Sequence, residues 1–358
     1  GVVLNLEARG TAGPSYMLME TNQGNAKMVE EFTNANPGFP VSNSLMYSIY
    51  KMLPNDTDLT VFREEGKIQG FNFAFIDDHF NYHTQQDDLA HLSHKTLKHQ
   101  GTYIMPLLHY FANANLASLD SGEDYVYFNT PFAFISYPFS WNLWLVLVAG
   151  ILFIFFVFIG IGKRTLSIPE IGRGFIPLFG SLLISGAVAF LGWKTLKVFY
   201  PQYQDILHGF TYNGHSYIAF FTFVTLAVCF AFYQKFYFEN KSMNYAVAPI
   251  FLWILINIGL AIYLPGAGFF IIPVFCSILM LAYFVITQKT NWLLNLILAI
   301  PAFIILVPFI VMFPIGLGLK MLAGSAVLAA LVFALLLPVF GYYPKKGNWA
   351  MAMLLIAA

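Results

Sequence analysis

The 358 residues are 58% hydrophobic and only 10% charged, a balance foreign to an ordinary soluble domain. A net charge of zero conceals two unlike stretches: residues 1–140 carry seven Lys/Arg against fifteen Asp/Glu, and residues 141–358 carry eleven against three. Neither has the basic, aromatic-interleaved surface of a nucleic-acid binder, so that partner is excluded. Both cysteines, Cys229 and Cys276, lie in apolar runs, so any metal site in the acidic stretch must use His, Asp or Glu.

In chain order, Gly1–Ala8 reads as a buried strand and residues 9–15 as the loop after it. Tyr16–Glu20 is expected as a short second strand. Ala26–Asn36 has helical character and stops before Pro37-Gly38, where the ring and the flexible residue end a helix. Ser42–Leu53 is amphipathic through Leu45, Met46, Ile49 and Leu53, and closes at Pro54. Asp56 suits the N-cap of a helix running through Glu65, since a carboxylate there accepts orphan backbone N–H bonds. Residues 70–76, Gly-Phe-Asn-Phe-Ala-Phe-Ile, alternate like a sheet strand. A long helix is then expected over about Leu89–Leu116, with His91, His94, His99 and His109 on a solvated face. Strand–helix alternation of this kind predicts an α/β sandwich. Asn55 and Asn240 sit in N-x-Ser/Thr sequons, a signal too common to build on.

Beyond a linker at 118–140 the pattern changes. Seven apolar runs, near 141–162, 175–193, 217–234, 245–264, 268–287, 292–313 and 321–340, each approach the roughly 20 residues that cross a bilayer. An eighth begins near Trp349. The domains expected are thus 1–117 (α/β), 118–140 (linker) and 141–358 (an all-α polytopic membrane domain of seven to eight helices in the lipid bilayer). If the first span runs inward, eight Lys/Arg fall in cytoplasmic loops and three, Lys194, Lys197 and Lys320, in the opposite ones. The positive-inside rule then places the acidic domain outside the cytoplasm, in a bacterial periplasm by preference or an organelle lumen. No charged residue lies deep within a span, which argues for an anchor over a transporter.

The chemistry concentrates at strand ends. Asn5-Leu6-Glu7 closes the first strand, and Tyr82-His83-Thr84-x-x-Asp87 follows the strand at 70–76. In open α/β sheets ligands gather at the carboxyl ends of strands, so Glu7 and His83 could share one crevice. With Asn55-Asp56-Thr57-Asp58-Leu59-x-x-Phe62 between them, these motifs resemble the co-catalytic zinc exopeptidase family of leucyl aminopeptidases and glutaminyl cyclase. Its multi-spanning forms, such as the endoplasmic reticulum metallopeptidases and their bacterial relatives, also share the arrangement of a soluble domain followed by many helices. The resemblance implies the carboxyl-terminal part of a zinc-exopeptidase-like α/β/α sandwich. It implies that Glu7 binds one of two zinc ions and His83 the other, that Asp87 orients His83, and that Asp56, Asp58 and Tyr82 shape the pocket. It implies hydrolysis of N-terminal residues from a peptide substrate.

The family's remaining ligands, its bridging carboxylate and its general base precede the first strand seen here. No catalytic residue is therefore expected in this chain, which begins at Gly1 inside a strand-like run and is expected to be an inactive piece of a longer protein. The alternatives are a glutaminyl-cyclase-like enzyme, or a non-catalytic scaffold or peptide-binding protein that retains the peptidase shape. Oligomeric state is left open.

Overall fold

A computed structural model describes residues 1–53, 56–116, 119–236 and 242–358; Asn55 and Asn240 lie outside the described residues. The chain divides into two compact units, one of residues 1–144 with 258–269, the other of 145–257 with 270–358.

The first unit is built on a three-stranded sheet of order β1-β3-β2. β1 (Val3–Ala8) runs parallel to β3 (Gly70–Asp77), with Asn5 opposite Asn72 and Glu7 opposite Ala74. β2 (Ala12–Glu20) lies antiparallel on the other side of β3, pairing Leu18 with Asn72 and Met17 with Phe73. Between β1 and β2 the chain must cross the carboxyl end of β3. It does so against the backbone: the Thr11 N–H donates to the Asp77 carbonyl at 3.0 Å. A Cβ on Gly10 would stand 2.0 Å from that same oxygen, so only glycine fits the crossing. Gly13, at φ +90°, then turns the chain into β2. The second strand is nine residues long, not five, because pairing with β3 resumes at Ala12 through a register shift before Ser15.

The two faces of this sheet differ. Met17, Met19, Phe71 and Phe73 point to one side and are buried with Met28, Val29 and Phe32 of α1 (Ala26–Ala35) and with Tyr103, Leu107 and Phe111 of α4 (His94–Phe111). Full burial of each such side chain contributes about 1.5–3 kcal/mol. The other face carries Asn5, Glu7, Glu20 and Asn72, and side chains from α2 (Ser44–Met52) and α3 (Asp58–Glu64) reach it. α2 starts where the Asn43 side chain accepts the Met46 N–H at 2.9 Å.

Three local expectations are corrected. α3 is capped by Thr57 rather than Asp56: the Thr57 N–H donates to Thr60 Oγ1 at 3.1 Å, a hydroxyl arrangement that leaves Asp56 exposed outside the helix. The long helix spans His94–Phe111 instead of starting near Leu89, because Ser93 accepts the Thr96 N–H and caps it there. His99 does not belong to a solvated face. Its Nδ1 accepts the Ser15 N–H at 3.1 Å, which leaves Nε2 as the donor to the Phe39 carbonyl at 3.0 Å. Within the stretch expected to be linker, β4 (Tyr125–Asn129) and β5 (Phe134–Pro138) form a hairpin.

The remainder is helical. Among the described residues, six helices are long and apolar enough to cross a membrane: Trp141–Gly162, Ile168–Phe199, Gly214–Lys235, Ser242–Tyr263, Pro265–Thr287 and Trp292–Leu317. The seventh expected span is shorter, Leu319–Leu335, and a separate turn follows at Leu337–Phe340. Pro338 explains the break, since it has no N–H to continue the ladder and its ring clashes with the preceding turn. The Pro338 carbonyl accepts from the Asn295 side chain at 3.0 Å. In the first span, Leu147, Ile151, Ile154 and Phe158 are exposed along one helical stripe, the surface a lipid would cover.

Candidate metal centre

Because β1 and β3 are parallel neighbours, their carboxyl ends fall on one side of the sheet. Glu7 is the next-to-last residue of β1, and the loop that bears His83 leaves β3 at Asp77. The two segments are also tied directly: buried Asn81 donates its amide to the hydroxyl of buried Thr11, at 2.9 Å. The strand-end motifs, 76 positions apart in sequence, are thus delivered to one edge of the fold.

The two candidate ligands are held differently. Glu7 is half-buried, and its Oε1 accepts from the Asn5 side-chain amide at 3.1 Å, leaving Oε2 as its other oxygen. His83 is exposed and sits in the left-handed region at φ +58°. Asp87, expected to orient His83, meets its backbone: Oδ2 accepts the His83 N–H at 3.1 Å. The Tyr82 and His83 rings stack, with centroids 3.8 Å apart. Asp58 is exposed in the first turn of α3, where a carboxylate favours the positive helix end. Asp56 lines a cleft of about 380 Å³ together with Glu20, Tyr50, Lys51 and Arg63. Neither Glu7 nor His83 lines that cleft.

One residue that sequence reasoning passed over dominates the polar face. Glu20, 6% exposed, collects a full set of donors. Its Oε1 accepts from Tyr50 Oη (3.0 Å), Thr57 Oγ1 (3.1 Å), Thr60 Oγ1 (3.1 Å) and Asn72 Nδ2 (2.9 Å), and its Oε2 from Arg63 Nε (3.1 Å). Burial, and then the negative charge of Glu20, push the Tyr50 phenol well above its usual range, with a smaller contribution from Glu7. The phenol therefore stays protonated and donating. The available signal was an acidic residue ending an otherwise apolar strand, with Arg63 as the one cation of the neighbouring helix.

In kind, a carboxylate and an imidazole are donors that suit zinc; in number they are two, where about three protein ligands are expected per structured site. The two candidate donors stand at or beyond the carboxyl ends of neighbouring parallel strands, Glu7 on β1 and His83 on the loop after β3. Residues 1–108 match the family model described as Peptidase family M28, in keeping with the resemblance carried by the motifs of this segment. Endoplasmic reticulum metallopeptidase 1 of Rattus norvegicus is 27% identical over 120 residues, and its Homo sapiens counterpart 26% over 120, in each case 33% of this chain and 13% of the relative. A vacuolar membrane protease of Meyerozyma guilliermondii is 31% identical over 98 residues, 27% of this chain and 10% of the relative. The chain thus spans a small part of the relatives it matches. No solved structure matches it.

Proposed function

We propose that this chain is part of a membrane-bound, zinc-dependent aminopeptidase whose α/β unit faces away from the cytoplasm. The observation that supports the reading is the parallel pairing of β1 and β3, whose carboxyl ends carry Glu7 and precede the His83 loop, within a segment that matches the M28 family model. Glu7 would hold one zinc ion and His83 the other. Bound zinc would supply an acidified water and a polarised scissile carbonyl. The residues of this chain position: Asn5 fixes one oxygen of Glu7, and Asp87 fixes the backbone that presents His83. Tyr82 lies against the imidazole and limits its rotation.

Two donors do not close a zinc coordination sphere, so these 358 residues alone are proposed to be inactive, with the further ligands and the general base supplied elsewhere in the whole protein. The test is made on that whole protein, purified in detergent. Zinc is counted by mass spectrometry, and release of an N-terminal residue from aminoacyl-anilide and short peptide substrates is followed with and without chelator. Zinc-dependent release supports the reading. Zinc-free protein that leaves every such substrate intact overturns it in favour of a peptide-binding scaffold, and cyclisation of N-terminal glutamine would instead mark a glutaminyl-cyclase-like enzyme.

A further inference from the structure

We propose that Glu20 is a positioning residue that fixes the orientation of the Glu7 carboxylate through two side-chain amides in series, Asn72 and Asn5. The inference rests on Glu7 being a metal ligand, as proposed above. Its support is a continuous set of hydrogen bonds that crosses all three strands. Arg63 Nε donates to Glu20 Oε2 (3.1 Å), and Asn72 Nδ2 donates to Glu20 Oε1 (2.9 Å). Asn5 Nδ2 donates to Asn72 Oδ1 (2.8 Å) and also to Glu7 Oε1 (3.1 Å).

The direction of every bond in this chain follows from chemistry. An ionised carboxylate can only accept, so Asn72 must present its NH₂ to Glu20. That leaves the Asn72 carbonyl facing Asn5, which must answer with its own NH₂. The two hydrogens of that one group then serve Asn72 and Glu7. Were Asn72 to turn over, its NH₂ would require the Asn5 carbonyl in the same place, and that oxygen would confront Glu7. Glu20 and Glu7, each able only to accept, therefore hold the two amides in one polarity from opposite ends. The four donors other than Asn72 would satisfy Glu20 as a buried ion-pair partner, so burial alone does not call for an amide path reaching Glu7. Groups that hold a ligating carboxylate typically matter by about 10–100-fold in metal affinity.

The experiment compares zinc affinity, by competition with a chromophoric chelator, in the intact detergent-purified protein and in three variants. Cobalt(II) spectra of the same samples report the geometry at the metal. Glu20→Gln removes the charge that orders the amides from the far end, and Asn72→Leu removes the path itself. Each is expected to weaken the tighter or the weaker of the zinc sites, but not both, by about 10–100-fold and to change the cobalt spectrum. Gln100→Leu is the control: it removes a buried 2.8 Å bond to the Phe73 carbonyl on the opposite face of the same strand. It is expected to lower thermal stability without moving zinc affinity. Should Glu20→Gln fail to fold, Asn72→Ser, a smaller change that spares the other donors to Glu20, carries the test. Wild-type affinity in the Glu20 and Asn72 variants overturns the proposal, as does an equal loss in Gln100→Leu, which would mark a general effect of destabilisation. A wild-type protein that takes up no zinc at all is a distinct result, and it sinks the peptidase reading along with this one.

Discussion

Glu7 and His83 arrive at one edge of the sheet by opposite means. Glu7 stands on a strand, paired in register with β3, and its carboxylate is bonded into a network that runs back to Glu20 and Arg63. His83 stands on an exposed loop, in a backbone conformation that non-glycine residues adopt at some cost, held by one exposed carboxylate and a stacked ring. A ligand on a strand is placed by the fold and tolerates little adjustment. A ligand on a strained loop is placed by local contacts, and the strain persists only where something else determines it. If the two serve one metal centre, the strand side sets its geometry and the loop side adapts to it.

The largest effect that would break this contrast is loss of either donor. In the whole protein, Glu7→Ala and His83→Ala are each expected to lower bound zinc from about two ions to about one and to abolish peptide hydrolysis. Mass-spectrometric metal counting checks this. Retention of both ions by either variant would remove that residue from the site. Next in size is Gly10→Ala. Its new Cβ would meet the Asp77 carbonyl, the backbone over which β1 crosses to β2, and a displaced crossing moves the strand that carries Glu7. The expected cost is about 3 kcal/mol or more, read as a lowered unfolding temperature or as failure to accumulate.

His83→Gly sharpens the comparison further because stability and function should move apart. Glycine adopts φ +58° freely, so the loop should gain about 1 kcal/mol while the metal donor is lost. His83→Asn, whose side chain tolerates the same region, should be near neutral in stability and equally zinc-poor. Thermal unfolding alongside metal counting separates the two quantities. A destabilised His83→Gly would show that the ring, through Tyr82, holds the loop more strongly than the backbone opposes it.

Much of this contrast was legible in sequence, and the rest was hidden for identifiable reasons. The strand at 70–76, the end of β1 and the motif around His83 are local patterns, and apolar alternation followed by a polar break finds them. The cap at Thr57 was missed because Asp56, Thr57 and Asp58 are all good cap residues, and only the Thr60 hydroxyl bond chooses among them. The length of β2 was hidden by Gly13-Pro14, which reads as a loop but sits beside a register shift in a strand. The last expected span is divided into Leu319–Leu335 and a separate turn at Leu337–Phe340 because Pro338 interrupts the helix, although the hydropathy continues. The network around Glu20 was out of reach for a different reason. It needs Leu18 opposite Asn72 and Asn5 opposite the same Asn72, a register that exists only once the order β1-β3-β2 is known. No window of sequence contains residues 5, 20, 63 and 72 together.

The smallest expected effect tests the loop side alone. Asp87 and His83 are both exposed, and the bond between the Asp87 carboxylate and the His83 N–H is charge-assisted but open to water. Asp87→Ala should therefore cost only about 0.5–1 kcal/mol of stability, since water can replace the lost acceptor. Its effect on zinc should be larger in proportion, because a left-handed residue without its local tether can relax toward extended backbone and carry the imidazole away. Asp87→Asn, which keeps an acceptor oxygen, should restore most of the affinity if the tether is a hydrogen bond and little of it if the negative charge itself matters. Wild-type zinc affinity in Asp87→Ala would mean that the stacked Tyr82 ring suffices to hold His83, and that the loop is less dependent on local contacts than its backbone angle implies.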